Sequence, residues 1–112
     1  MPQAAPADVA DWLAANSGAQ PPVLLDVREP AECAAASLAI PGVDLLQWPM
    51  HTIPQRLAEL DPTRPIAVLC HAGERSLIVA RFLAQNGFER VVNIAGGIDA
   101  WSLQVDPSVP RY

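Results

Sequence analysis

One short stretch of the chain combines a thiol with the local structure that would activate it. Cys70 follows the apolar run 66–69, which is bounded by Pro65 and predicts a buried strand. Apolar residues then recur with helical spacing, which predicts a helix over 75–85. A strand, a tight loop and a helix N-terminus in this order form an anion site, because loop N–H groups can turn inward and the helix start carries partial positive charge. Such surroundings favour a thiolate and make Cys70 a candidate nucleophile.

The loop after the thiol is the predicted binding site. Gly73 allows backbone angles that let several N–H groups converge. Arg75 and His71 add positive or potentially positive charge beside the thiol, although ordinary surface charge is the alternative for both. Glu74 would repel an anion unless it points outward or pairs with Arg75. An inert cysteine at a strand end is the alternative interpretation of Cys70. The predicted binding residues are His71, Ala72, Gly73, Glu74, Arg75 and Ser76.

Four short motifs resemble, in the right order, those of the single-domain rhodaneses, which are sulfurtransferases. The stretch CHAGERS at 70–76 is similar to their active-site loop. The others are LLDVREPAE at 24–32, IPG at 40–42 and NIAGGIDAW at 93–101. Together the motifs cover about residues 23–103. The resemblance implies a rhodanese-like α/β fold with a parallel sheet of about five strands and helices on both faces. The alternation of strands and helices along the chain favours the same architecture.

The resemblance also implies a reaction. A thiolate at Cys70 would take the outer sulfur of thiosulfate or another persulfide donor, form a persulfide, and pass the sulfur to cyanide or a thiol acceptor in a second half-reaction. A protein sulfur donor or acceptor would fit the same scheme. No cofactor is implied. No metal is expected, because no group of His, Cys and carboxylate residues has the spacing of metal ligands.

Two charged residues stand at the end of the strand predicted over 23–27. Parallel folds place their sites at the carboxyl ends of strands, so Asp26 and Arg28 are predicted to support the loop without reacting. A purely structural ion pair is the alternative. Cys33 lies in the short helix that follows and is expected to be a small core side chain. Its alternative role is that of a resolving thiol for Cys70.

Two other functions fit parts of the pattern. Enzymes of the phosphatase and arsenate-reductase type need five residues between the cysteine and the arginine, whereas four separate Cys70 from Arg75. The shorter loop favours a sulfur atom over a tetrahedral oxyanion. A non-enzymatic binding or sulfur-carrier module is the other alternative, although inactive rhodanese-like modules usually lack the cysteine. Segment 36–50 departs from the family pattern and leaves pocket shape and donor choice open.

The composition excludes several further classes. The 112 residues suit one domain over 1–112, with an extended tail over 104–112. Hydrophobic residues make up 51% and charged residues 17%, which predicts a packed core. A net charge of −5 argues against nonspecific binding of nucleic acid. Without a membrane-length apolar run, a visible secretory signal or a disulfide framework, a cytoplasmic protein with no membrane partner is expected.

The remaining local patterns predict the elements that position the loop. Gly96-Gly97 is interpreted as a turn before a helix that carries Trp101, and anion binding by this pair is the alternative. The other predicted helices are 8–16, 31–36 and 50–60, and the other predicted strands are 43–47 and 91–94.

Overall fold

Five parallel strands form one sheet with helices on both faces, and the computed structural model describes every residue from Met1 to Tyr112. The strands are β1 (Gln3–Ala4), β2 (Val23–Asp26), β3 (Asp44–Gln47), β4 (Ile66–Leu69) and β5 (Val91–Ile94). The helices are α1 (Pro6–Ala15), α2 (Pro30–Ala35), α3 (Ile53–Arg56), α4 (Glu74–Gln85) and α5 (Gly97–Gln104). The strand order is β1-β5-β4-β2-β3, and every neighbouring pair is parallel. The predicted α/β fold is confirmed.

Strands β2 and β4 are buried on both faces, which explains why residues 23–25 and 66–69 are unbroken apolar runs. In β4, Ile66 and Val68 join the core cluster that contains Leu83 of α4. Ala67 and Leu69 join the opposite cluster, which contains residues of α1 and α5. The end of β4 is therefore held from both sides, and the residue that follows it has a fixed position.

The carboxyl ends of β2 and β4 lie side by side. Asp26 is paired in register with Leu69, and the Val27 N–H donates to the Leu69 carbonyl at 2.9 Å. This pairing brings Arg28 and Cys70 to the same edge of the sheet, where open parallel sheets place their binding sites.

The prediction of one continuous helix over 50–60 is wrong. The structure has a 3₁₀ turn at Met50–Thr52, the short helix α3 and a second 3₁₀ turn at Leu57–Glu59. Thr52 donates both its N–H and its hydroxyl to the Pro49 carbonyl, which closes a three-residue turn. Pro54 then has no N–H with which to continue a helical ladder. The spacing of apolar residues does not reveal that this backbone donor is missing.

The segment after α5 differs from the extended tail predicted over 104–112. It turns at Asp106–Ser108, where the Ser108 N–H donates to the Asp106 side chain at 3.0 Å. Val109 is buried in the same core cluster as Trp101. Tyr112 then lies against His71 of the thiol loop. None of the helices is both long and apolar enough to span a membrane.

Candidate functional site

The thiol of Cys70 lies inside the loop that joins β4 to α4. The residue is 1% exposed. Its Sγ accepts a hydrogen bond from the Gly73 N–H at 3.1 Å and lies 3.2 Å from the Ser76 hydroxyl. Gly73 has a φ of +99°, a conformation that favours glycine and that turns the loop back over the sulfur. The predicted strand, loop and helix therefore fold around the sulfur atom.

A chain of hydrogen bonds fixes the Ser76 hydroxyl. The Asn93 amide nitrogen donates to the Gly73 carbonyl and to the Gln3 side chain, both at 3.1 Å, so the amide oxygen must face the other way. That oxygen accepts the Ser76 hydroxyl at 2.5 Å. A hydroxyl has only one proton, so Ser76 acts here as the acceptor of the Cys70 S–H. We call Cys70, Gly73, Ser76 and Asn93 the thiol network. Sequence reasoning assigned no role to Asn93, although it opens one of the quoted motifs.

The loop also presents a set of unpaired backbone donors. The N–H groups of five residues donate to no protein acceptor, because they precede the first closed turn of α4 or belong to that turn. Together with the Gly73 N–H they are the backbone donors of the loop that follows the sulfur, and the helix start adds partial positive charge. The five residues are His71, Ala72, Glu74, Arg75 and Ser76.

The N-terminus of α5 holds the loop from behind. The Cys70 carbonyl accepts the Ile98 N–H at 2.9 Å, and the His71 carbonyl accepts the Asp99 N–H at 3.1 Å. Gly97 has a φ of +62°, and a Cβ at this position would overlap both carbonyl oxygens. The Gly96-Gly97 turn predicted from the sequence is present, and its second glycine lets the helix approach the loop backbone. No local pattern of residues predicts this contact.

Asp26 and Arg28 form a fully buried ion pair. Two bonds join the guanidinium to the carboxylate, at 2.6 and 2.9 Å, and the side chains are 1% and 0% exposed. Arg28 also donates to the Glu32 carbonyl and to the Tyr112 hydroxyl, each at 3.1 Å. Burial opposes the charge of Arg28, but the hydrogen bonds that Arg28 donates to Asp26 and Tyr112 outweigh it and raise the pKa of the guanidinium. The pair ties β2 to α2 and to the segment after α5.

Arg75 does not stand free beside the thiol. Its guanidinium makes two bonds to the Glu32 carboxylate, at 2.6 and 2.8 Å. Hydrogen bonding from Arg75 lowers the pKa of Glu32 from 4.5 to about 2, against the opposing effect of burial. Glu32 belongs to the quoted motif at 24–32, but sequence reasoning did not select it as a site residue. We call Asp26, Arg28, Glu32, Arg75 and Tyr112 the charged network.

The other predicted loop residues lie at its outer side. His71 is half-buried, and its ring lies 4.2 Å from the Tyr112 ring with an interplanar angle of 17°. Ala72 and Glu74 are exposed, and Glu74 forms no ion pair with Arg75. Of the two positions predicted for Glu74, its exposure supports the outward one.

Cys33 is neither a core residue nor bonded to the other thiol. It is half-buried and belongs to neither apolar cluster. Its Sγ lies 3.7 Å from an Asp26 carboxylate oxygen. Burial and the Asp26 charge raise the pKa of this thiol, which disfavours its reactive form. The side chain lines a cavity of about 350 Å³ beside Arg28, with Pro30, Ala34, Gln47 and Pro49.

No three His, Cys, Asp or Glu side chains come together in an arrangement that could hold a metal ion. The site offers one buried sulfur, a set of backbone donors and two paired arginines. Such a site can hold a small anion or an anionic sulfur on Cys70.

The chain matches a known protein family. The family model for the Rhodanese-like domain matches residues 9–104. A chloroplastic rhodanese-like/PpiC domain-containing protein of Arabidopsis thaliana is 45% identical over 93 residues, which are 80% of this chain and 30% of that protein. A sulfurtransferase of Allochromatium vinosum is 41% identical over 80 residues, 71% of each chain. The chain thus spans less than a third of the Arabidopsis relative and about 70% of the bacterial one.

The fold is shared with solved structures. A rhodanese-related protein from Thermoplasma volcanium superimposes with a TM-score of 0.76 at 28% sequence identity, and the match covers all of both chains.

Proposed function

Because the chain belongs to the rhodanese-like domain family, we propose that it is a sulfurtransferase that carries sulfane sulfur as a persulfide on Cys70. The main support for this proposal is that the Cys70 sulfur accepts the Gly73 N–H in a loop whose other backbone N–H groups donate to no protein acceptor. Preorganised donors of this kind stabilise a negative charge with little reorganisation. The sulfurtransferase among the relatives supports the same reaction class.

The proposed cycle has two displacement steps. The Cys70 thiolate attacks the outer sulfur of thiosulfate, a new S–S bond forms, and the S–S bond of the donor breaks with its electron pair leaving on sulfite. The terminal sulfur of the resulting persulfide is anionic and accepts loop N–H groups. Cyanide then attacks this sulfur, leaves as thiocyanate and restores the Cys70 thiolate; a thiol acceptor would give a persulfide instead. Two half-reactions through a covalent intermediate predict double-displacement kinetics.

The neighbouring residues have separate proposed roles. Gly73 donates its N–H to the sulfur, and Ser76 supplies a hydroxyl within reach of it. Asp26 and Arg28 support the loop structurally, because the two side chains bond to each other and Arg28 also donates to the Glu32 carbonyl and the Tyr112 hydroxyl. The position of Arg75 on Glu32 disfavours a phosphatase, since that chemistry needs an arginine that is free to hold the transferred oxyanion.

The test is an intact mass of the reduced protein before thiosulfate, after thiosulfate and after cyanide. We expect a gain of one sulfur atom that cyanide removes. Cys70→Ser should not gain the sulfur, and Cys33→Ser, the matched control at the other thiol, should gain it as wild type does. Sulfur transfer that survives Cys70→Ser would refute the proposal. Failure of wild type to load from any sulfane-sulfur donor, with Cys70 still open to alkylation, would favour a binding module.

A further inference from the structure

The segment after α5 delivers an aromatic residue to the mouth of the thiol loop. Ser102 donates its hydroxyl to the Val109 carbonyl at 2.6 Å, and Arg111 makes two bonds to Asp99, at 2.8 and 3.2 Å. These two anchors fix the segment to α5. Tyr112 then stacks on His71, whose backbone carbonyl is held by the same helix.

The Tyr112 hydroxyl connects the two arginines of the charged network. It accepts a hydrogen bond from Arg28 at 3.1 Å and donates one to the Glu32 carboxylate at 2.8 Å. Glu32 in turn holds Arg75 through both of its oxygens. The hydrogen bond from the Tyr112 hydroxyl therefore favours the position of Glu32 in which its carboxylate pairs with Arg75.

The result is a site in which the positive side chains are already neutralised. Asp26 balances Arg28, and Glu32 balances Arg75. Glu74 adds an exposed carboxylate to the same loop. A donor with two negative charges would have to compete with Glu32 for Arg75. A donor with one negative charge needs only the backbone N–H groups and the helix start.

We propose that Tyr112 and Glu32 are specificity-determining residues that disfavour dianionic thiosulfate relative to monoanionic sulfane-sulfur donors. Tyr112 acts as a positioning residue, since it reaches Arg75 only through Glu32. This inference rests on the proposed function and adds to it the charge class of the preferred donor. Monoanionic donors of this kind are thiosulfonates and persulfides of low charge.

Two donors that transfer the same kind of sulfur atom but differ in net charge can distinguish an effect of donor charge from an effect on the transfer reaction. With thiosulfate, the Cys70 thiolate takes the outer sulfur and sulfite leaves as a dianion. With methanethiosulfonate, it takes the equivalent sulfur, and methanesulfinate leaves as a monoanion with the electron pair of the broken S–S bond. Both reactions give the same Cys70 persulfide, and no oxidant or reductant is consumed.

The experiment compares kcat/KM for the two donors, with cyanide as acceptor, in wild type and in two variants. Glu32→Gln removes the charge that neutralises Arg75. Its amide oxygen can still accept the N–H of Glu29, the bond by which Glu32 caps α2. We expect its kcat/KM for thiosulfate to rise about three- to ten-fold, mainly through KM, because an ion pair of this exposure contributes modestly. Its kcat/KM for methanethiosulfonate should stay within about two-fold of wild type.

Tyr112→Phe isolates the hydroxyl, because it keeps a ring that can stack on His71. It should shift the ratio of the two donors in the same direction by about two- to three-fold. Glu59→Gln is the matched control: it also removes one negative charge and breaks a two-bond Arg–Glu pair, with Arg56, that lies outside both networks. It should leave the ratio unchanged.

The outcomes distinguish this inference from the proposed function. A donor ratio that is equal in wild type, Glu32→Gln and Tyr112→Phe would refute the inference alone, provided that both donors load Cys70. A shift of the same size in Glu59→Gln would also refute it, since overall charge would then explain the effect. If neither donor loads wild type, the proposed function fails first and this inference falls with it.

Discussion

Two polar networks meet at the carboxyl edge of the sheet, and they are built from different chemistry. The thiol network contains no charged side chain, is fully buried, and is closed by hydrogen bonds between the loop after β4, α4 and β5. The charged network consists of two ion pairs, one fully buried and one partly exposed, that join β2 and α2 to α4. The first network contacts the Cys70 sulfur, which is the proposed reacting atom. The second contacts only the loop residues around it.

This difference predicts different consequences of mutation. Loss of a thiol-network group should slow sulfur transfer from every donor, because the sulfur itself loses a partner. Loss of a charged-network group should change folding stability or donor preference while the chemistry at sulfur continues. The following changes test this division, in order of decreasing free energy.

The largest effect is expected from Asp26→Asn. This change leaves Arg28 buried with its charge uncompensated, which should lower the free energy of unfolding by about 3–5 kcal/mol. Urea denaturation measures it. Asp44→Asn is the control, because its partner Arg64 forms an exposed pair whose loss should lower stability by about 1 kcal/mol or less. Equal effects of the two substitutions would show that burial of the first pair has no energetic consequence.

Gly97→Ala should have the next largest effect. It combines a positive φ with overlap between the new Cβ and the Cys70 and His71 carbonyl oxygens. We expect a loss of about 2–3 kcal/mol in the free energy of unfolding, and slower transfer from both donors because the loop backbone must move. Gly42→Ala has a similar φ of +76° but open space around the Cβ, so it should lose only about 1 kcal/mol and keep its activity. Matching results for both glycines would remove the proposed coupling between α5 and the loop.

Ser76→Ala tests the thiol network itself. Removing the hydroxyl that lies between Cys70 and Asn93 should lower kcat/KM about ten-fold, or about 1.4 kcal/mol, for thiosulfate and for methanethiosulfonate alike. Ser37→Ala removes an exposed hydroxyl, bonded to the Cys33 carbonyl, and should have no effect on either donor. A loss confined to one donor would contradict the division between the two networks.

The smallest effect is expected from loss of the partly exposed ion pair between Glu32 and Arg75, and it depends on pH. The pKa of Glu32 is lowered from 4.5 to about 2 in the folded state, so its contribution is complete above pH 4.5 and is lost as the pH falls towards 2. Wild type should exceed Glu32→Gln in stability by about 1 kcal/mol at neutral pH, after allowance for solvent screening. Denaturant unfolding from pH 7 to pH 2 should show this advantage disappear. An advantage that persists at pH 2 would assign it to packing instead of charge.

The sequence alone determined the local frame of the site. The apolar run at 66–69, the Gly73 turn and the helical spacing after it are properties of contiguous residues, and each recurs in the structure as β4, the loop and α4. The alternation of strands and helices was enough to predict a parallel sheet, because neighbouring parallel strands must be joined by crossover connections, which are usually helices. The helix over 50–60 is interrupted twice, and the missing N–H at Pro54 accounts for the first interruption, between Met50–Thr52 and α3.

Which side chains meet depends on the path of the chain in three dimensions. Arg75 pairs with Glu32 across 43 positions of sequence, and Tyr112 reaches the same carboxylate across 80. Asn93 bonds to Ser76 because β5 lies beside β4 and α4 packs on both. Local patterns carry information about neighbours a few residues apart, whereas these partners are selected by the path of the chain in space. The position of the thiol was therefore readable from the sequence, and the partners that neutralise its surrounding charges were not.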